Sequence, residues 1–215
     1  MAIEKTYFTG TTGATNCVEV LSWLQSNATD YFDEISGTDD NTKIYCKIGN
    51  VNALTFDFGT ERIFTITLNN GNTYQSYTTW SSNDRWRSAS KTDNGIFLYS
   101  QAIDNLFISK TTNNNIFSAF VMKSGASNHV WRLVDFTASP NSILSDNISN
   151  ATLSDLASGV YATPRTALVP VISSGDTYCN SLFLVPFTQF AGQSDIVIDI
   201  DGTKYVYNGI FALKE

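Results

Sequence analysis

Leu54-Thr55-Phe56-Asp57-Phe58-Gly59-Thr60-Glu61-Arg62-Ile63-Phe64-Thr65-Ile66-Thr67-Leu68-Asn69-Asn70-Gly71 is the stretch on which the fold turns. Its apolar residues fall on every second position: Leu54, Phe56 and Phe58, then Phe64, Ile66 and Leu68. A period of two marks a half-buried strand, because successive side chains point to opposite faces of a sheet. Gly59-Thr60 turns the chain between the two runs. Asn69-Asn70-Gly71 signals a tight hairpin, since Asn and Gly accept the positive φ that such turns demand. Thr73 to Trp80 reads as the return strand.

The same rhythm continues on both sides. Ile44 to Ile48 is a strand bounded by Gly49-Asn50. Ile96–Tyr99, Asn105–Ser109, Ile116–Met122 and His129–Phe136 follow, with Thr111 to Asn115 as a hairpin loop. Ala167–Ile172 and Ser181–Val185 are apolar runs that Pro170 and Pro186 mark as edges. Ile196 to Ile200 meets Asp201-Gly202 and returns through Lys204 to Tyr207, the clearest hairpin in the chain. Ile210 to Leu213 can pair as a last strand. Strands every eight to twelve residues predict an all-β fold, an antiparallel β-sandwich of jelly-roll-like or related type.

One short α-helix interrupts this pattern near the N-terminus. Cys17, Val20, Leu21 and Leu24 recur at helical spacing, and Asn16 with Glu19 has the spacing of a capping box, so a helix is expected over 17–27. Residues 1–14 read as an extended N-terminal arm, which either lies on a neighbouring subunit or forms a plain first strand. Residues 15–215 read as a single β domain with an irregular excursion at 137–166. The alternative is two sub-domains, 15–136 and 167–215. At 215 residues the chain can bury a core without disulfide or metal.

Composition narrows the function. The chain holds 23 Ser, 25 Thr and 20 Asn, but only 15% charged residues, against about a quarter in ordinary soluble domains. Active sites need ionisable groups with tuned pKa values, and this surface offers few. Net charge is −7 and the 13 basic residues are scattered, so nucleic acid is not an expected partner. No signal-peptide core and no run of eighteen apolar residues is present, so no membrane insertion is expected. Cys17, Cys46 and Cys179 are widely spaced and odd in number, which suits free thiols in a reducing cytosol. No cofactor fingerprint appears. The glycines sit in turns, outside any strand–glycine–helix context.

Few residues suggest a site. Trp80, Arg85, Trp86, Arg87 and Lys91 fall within twelve residues of a polar segment, 81–94, read as a loop. Trp and Arg dominate binding hot spots, and Trp stacks on sugar rings. The competing reading folds these tryptophans onto the sheet. Asp195, Asp199 and Asp201 share strand parity and are weak candidates for a calcium site, against a solvated strand face as the plain reading. Asp39-Asp40-Asn41 reads as ordinary loop. His129 is the only histidine, so no motif needing two is possible. No G-x-S-x-G elbow accompanies it. The scattered carboxylates carry no local signature of a glycosidase pair. The chain is expected not to be an enzyme.

Ala-Leu-Val-Pro-Val (167–171), Ser-Leu-Phe-Leu-Val-Pro (181–186) and Asp-Gly-Thr-Lys-Tyr-Val-Tyr-Asn-Gly-Ile-Phe-Ala-Leu (201–213) resemble the C-terminal ends of uncharacterised virion structural proteins of tailed bacteriophages and prophages of Gram-positive bacteria. The Thr/Asn-rich hairpins are similar to those of tail, baseplate or head-decoration components. The likeness covers mainly residues 160–215 and brings no defined site. It implies a virion protein assembled in the bacterial cytoplasm, whose partners are other virion proteins and copies of itself. A receptor- or glycan-binding module using the Trp80–Lys91 segment is the alternative, with a host cell-surface glycan as ligand.

Overall fold

A computed structural model describes residues 3–59, 62–101, 104–110, 114–124, 128–136, 169–172, 178–185, 195–208 and 211–215. The expected excursion at 137–166 lies outside the described residues. In chain order the elements are β1 (Glu4–Tyr7), α1 (Gly13–Asn27), β2 (Glu34–Gly37), β3 (Lys43–Ile48), β4 (Val51–Asp57), β5 (Phe64–Thr67) and β6 (Thr73–Gln75). Then come β7 (Trp86–Thr92), β8 (Gly95–Ser100), β9 (Asn105–Lys110), β10 (Ile116–Ser124) and β11 (Asn128–Asp135). The last are β12 (Val169–Ile172), β13 (Tyr178–Leu184), β14 (Ile196–Ile200), β15 (Thr203–Tyr207) and β16 (Phe211–Lys214).

These strands form three antiparallel sheets. The N-terminal sheet is a meander, β2-β3-β4-β5-β6. The central sheet runs β1-β7-β8-β9-β10-β11, and the C-terminal sheet runs β12-β13-β16-β15-β14. The fold is therefore an all-β antiparallel sandwich, built as three layers. The N-terminal sheet is up-and-down, as is the central sheet from β7 to β11, to whose edge β1 is added. Among the described strands only β13-β16-β15-β14 has the spatial order of a Greek key, the motif that defines jelly rolls.

The hairpins form where the turn chemistry places them. Gly49, Gly71 and Gly202 have φ of 58°, 85° and 79°, a region in which a Cβ would be strained. Leu54, Phe56, Phe64 and Ile66 are fully buried, while Thr55 and Thr65 on the alternate face are only half-buried. That is the period-two pattern made physical.

The central sheet is covered on both faces. On one, Trp86, Ala89, Ile96, Leu98, Leu106, Ile108 and Phe120 join the N-terminal sheet and helix residues Cys17, Val20, Trp23 and Leu24 in a single core cluster. On the other, Phe97 and Phe107 stack with ring centroids 4.5 Å apart, and Phe107 meets Phe211 of the C-terminal sheet edge-on at 6.4 Å. A strand buried on both faces cannot alternate, which is why Ile96-Phe97-Leu98 and Leu106-Phe107-Ile108 read as continuous apolar runs. A second cluster, Val185, Ile198, Tyr205, Tyr207 and Ala212, lies on the far face of the C-terminal sheet.

Two local expectations need correction. The helix starts at Gly13, four residues before the expected boundary, and its N-cap is Thr12. Thr15 N donates to Thr12 Oγ1 (3.2 Å) and Thr12 N donates to Thr15 Oγ1 (3.1 Å), a reciprocal capping box one turn ahead of the Asn16/Glu19 pair. Glu19 instead accepts from Thr9 Oγ1 and Gly10 N, both at 2.8 Å. Gly13 is required by packing, because a Cβ there would press into the Phe58 carbonyl oxygen. The second correction concerns residues 81–94. Trp86–Thr92 is not loop but strand β7, held between β1 and β8. Of the N-terminal stretch, Glu4–Tyr7 takes the first-strand alternative, paired with β7 from Glu4↔Lys91 to Tyr7↔Ser88.

Candidate functional site

The residues expected to form a recognition loop serve the fold. Trp86 is fully buried. Its ring stands edge-on to Phe56 at 5.1 Å and lies 6.3 Å from Phe64, so it joins the central and N-terminal sheets. Asn16, buried on α1, holds the two tryptophans in place. Its Nδ2 donates to the Trp86 carbonyl (3.0 Å), and its Oδ1 accepts from Trp86 N (3.2 Å) and Trp80 Nε1 (3.1 Å). Arg85 Nη1 donates to the carbonyls of Thr9 (3.2 Å) and Gly10 (2.6 Å), and Arg87 Nη2 to that of Asn83 (3.3 Å). Burial, and then the charge of Arg85, pull the Arg87 pKa down. Lys91 is half-buried opposite Glu4. Trp86 is thus withdrawn from any ligand-facing surface, while Trp80, Arg85, Arg87 and Lys91 are half-buried. Asn16 is the residue that sequence reasoning misassigned; its capping-box spacing masked a tertiary role.

The three aspartates also separate. Asp195 has φ of 56° and accepts from Lys5 Nζ (2.9 Å) and Ser88 Oγ (2.8 Å), tying the C-terminal sheet to β1 and β7. Asp199 Oδ1 accepts from Gly202 N (2.9 Å) and closes the turn. Asp201, with φ of 51°, is part of that turn. Among the described residues no group of three His, Cys, Asp or Glu is placed to hold a metal ion. In the Asp39–Asn41 loop, Asp40 Oδ1 accepts from Thr42 Oγ1 (2.7 Å) and Thr42 N (3.2 Å), an ordinary turn closure. His129 lies in β11 opposite Lys123, and its side chain is outside the described set.

Other ionisable groups are likewise engaged. Asp57 pairs with Lys43 (3.3 Å) and accepts from Gly59 N (2.7 Å). Lys47 at 2.8 Å holds the Glu34 carboxyl below its usual range, by hydrogen bonding and then by charge. Burial pushes the Cys17 thiol up to about 12, aided by the charges of Asp40 and Asp57, and burial alone pushes Cys46 higher still. Both are poor nucleophiles in the folded chain.

A polar seam joins the central and C-terminal sheets. Ser109 and Ser181 hydroxyls lie 2.9 Å apart, Asn208 Nδ2 donates to Asn105 Oδ1, and Asn208 Oδ1 accepts from Phe211 N (2.7 Å). Buried Ser88 and Ser90 alternate with Ala89 along β7, whereas buried Asn105 and Ser109 bracket the apolar run Leu106-Phe107-Ile108 of β9. That alternation was the available signal, but it resembles a solvated face.

One feature that faces outward is the β1 edge. Among the described residues, Tyr7 (69% exposed) and Val18 (49%) are two of the four exposed large hydrophobics, with Tyr77 and Val197. Both line an open groove of about 480 Å³ between β1 and α1, floored by Phe8 and Trp23. Compared with known proteins, the chain matches no family model, no curated protein and no solved structure. Among the described residues no helix is long and apolar enough to cross a membrane.

Proposed function

We propose that this chain is a non-enzymatic structural or accessory protein of a phage particle. It belongs to the tail, baseplate or head surface and acts through protein–protein contacts in a symmetric assembly. The observation that carries this reading is the division of labour among side chains. Of the residues singled out for ligand capture, Trp80, Arg85, Trp86, Arg87, Asp195 and Asp199 are bonded within the fold. Among the described residues, exposed Tyr7 and Val18 lie together at an unpaired strand edge, β1 beside α1, and exposed Val197 lies on the edge strand β14. Edges and exposed apolar groups are what protein partners cover. A weakly charged surface lowers the desolvation cost of such contacts. The phage assignment itself rests on the likeness of residues 160–215 to virion proteins.

The glycan-binding alternative has no specific observation in its favour. It rested on the Trp80–Lys91 segment, whose Trp86 is fully buried. The test is biochemical. Particles purified from a producing strain should contain the chain in several copies, detected by quantitative mass spectrometry, and should be defective without it. Turnover of any substrate that is lost when a single acidic side chain or His129 is replaced would overturn the reading.

A further inference from the structure

We propose that β1 of one copy pairs antiparallel with β1 of a second copy across a two-fold axis, doubling the six-stranded central sheet. This rests on the assembly reading above and names its interface. Phe8 N donates to Arg87 O at 2.8 Å, so residue 8 points its backbone groups toward β7. Backbone direction alternates along a strand. Thr6 and Glu4 therefore also point inward, and the N–H and C=O groups of Lys5 and Tyr7 point outward. Among the described residues β1 pairs only with β7.

Of the five other edge strands, β12, β6 and β2 carry features that stop pairing, while β11 and β14 are open edges as well. β12 has Pro170 and a register irregularity beside it. β6 spans only three residues. β2 lies against α1, where Gln25 Nε2 donates to the Ile35 carbonyl at 3.1 Å. β1 has no proline and no bulge. Its lysine, a common repelling residue on edges, is already neutralised by Asp195 at 2.9 Å.

The register selects a second copy as the occupant. A two-fold axis perpendicular to the sheet keeps each face on its own side, so residues of equal parity oppose each other. With Thr6 on the axis, Lys5 faces Tyr7 of the partner subunit. Both are outward-pointing, so they exchange both ladder bonds. The Lys5 ammonium, 5.1 Å from its own Tyr7 ring centre, then meets a second tyrosine ring on the same face, a favourable cation–π arrangement. An axis on Lys5 would set two lysines opposite each other, and an axis on Tyr7 would leave Lys5 and Glu4 unpaired. Val18 on α1 borders the groove that receives the incoming strand.

Sedimentation of the full chain over a concentration series tests the pairing. The wild type should form a dimer. Tyr7→Pro removes an outward N–H while sparing the ladder to β7, and should weaken association at least about tenfold with unchanged circular dichroism. Tyr7→Lys, which keeps the N–H and sets like charges face to face, should do the same and serves if the proline variant fails to fold. Thr6 forms a non-hydrogen-bonded pair with its symmetry mate, at a Cα separation of about 4.5 Å, within disulfide reach. Oxidised Thr6→Cys should therefore cross-link through residue 6, and Tyr7→Cys should not. A dimer that survives both Tyr7 substitutions, or no cross-link at residue 6, overturns β1 pairing while the assembly reading stands. A chain that stays monomeric but gains protection of the Lys5 and Tyr7 amides only when another virion protein is added overturns self-pairing. A monomer at every concentration that no particle contains overturns both.

Discussion

Replacing Trp86 with alanine separates a core residue from a binding residue. The ring is fully buried between Phe56 at 5.1 Å and Phe64 at 6.3 Å. Truncating a buried Trp costs about 3–5 kcal/mol through lost transfer energy and the cavity left behind. The edge-on aromatic contact adds about 1 kcal/mol. One contribution opposes these. The buried Trp86 Nε1 has no hydrogen-bond partner, and removing an unsatisfied donor returns about 1–2 kcal/mol. The net loss is about 3 kcal/mol. The Asn16 bonds survive, because they reach the Trp86 backbone. At this chain length each kcal/mol lowers Tm by about 2–4 °C, so a fall of about 6–12 °C is expected. Trp86→Phe should cost under about 1.5 kcal/mol, since it keeps most of the ring and removes the orphan N–H. Equilibrium urea unfolding and calorimetry read both. A Trp86→Ala protein destabilised by less than about 1 kcal/mol would refute this packing and return the segment to the surface as a recognition loop.

Other substitutions probe the remaining joints. Asn16→Leu strands the Trp86 N–H, the Trp86 carbonyl and Trp80 Nε1, and should cost about 3 kcal/mol in urea unfolding, far more than a change on the helix exterior. Lys5→Met leaves Asp195 (14% exposed) without its cation; a loss of about 1–2 kcal/mol is expected, and it should shrink as salt is added. In a Cys179→Ser background the folded protein should not react with a thiol reagent at pH 8, and Cys17 and Cys46 should react only on unfolding. The same thiols shape alkaline stability. Their folded pKa values are raised, so their contribution is complete below the unfolded value of about 8.5 and is lost above it, each removing up to about 1.4 kcal/mol per pH unit. Cys17→Ala should make that alkaline decline shallower in a pH series of urea melts.

How far the sequence reveals this protein depends on whether local chemistry or tertiary surroundings decide each residue. Gly49-Asn50, Asn70-Gly71 and Asp201-Gly202 are legible because positive φ is a property of the turn itself. β4 and β5 are legible because one face is buried and the other is not. β7 is not, because both its faces are covered and its serines occupy the seam with the C-terminal sheet, so a buried strand looks like a wet loop. Trp86 misleads for the same reason: its neighbours in sequence are polar, while its neighbours in space are Phe56 and Phe64. The helix start is misplaced because Asn16 and Glu19 satisfy a capping pattern but are used for long-range bonds. The β1 groove is invisible in sequence, since it joins residues 6–8 to residues 18–27 across an intervening turn.

The order of the layers has a consequence for how the polypeptide is made. Among the described residues, the last strand of the N-terminal and central sheets ends at Asp135, whereas the first strand of the third layer begins at Val169. A growing chain can therefore close two layers while the ribosome is still supplying the rest. The side left waiting sets Ser88, Ser90, Asn105 and Ser109 among Phe97 and Phe107. Hydroxyls and amides there can bind water until their partners arrive, so the half-made molecule presents a wettable surface where unbroken hydrocarbon would invite clumping.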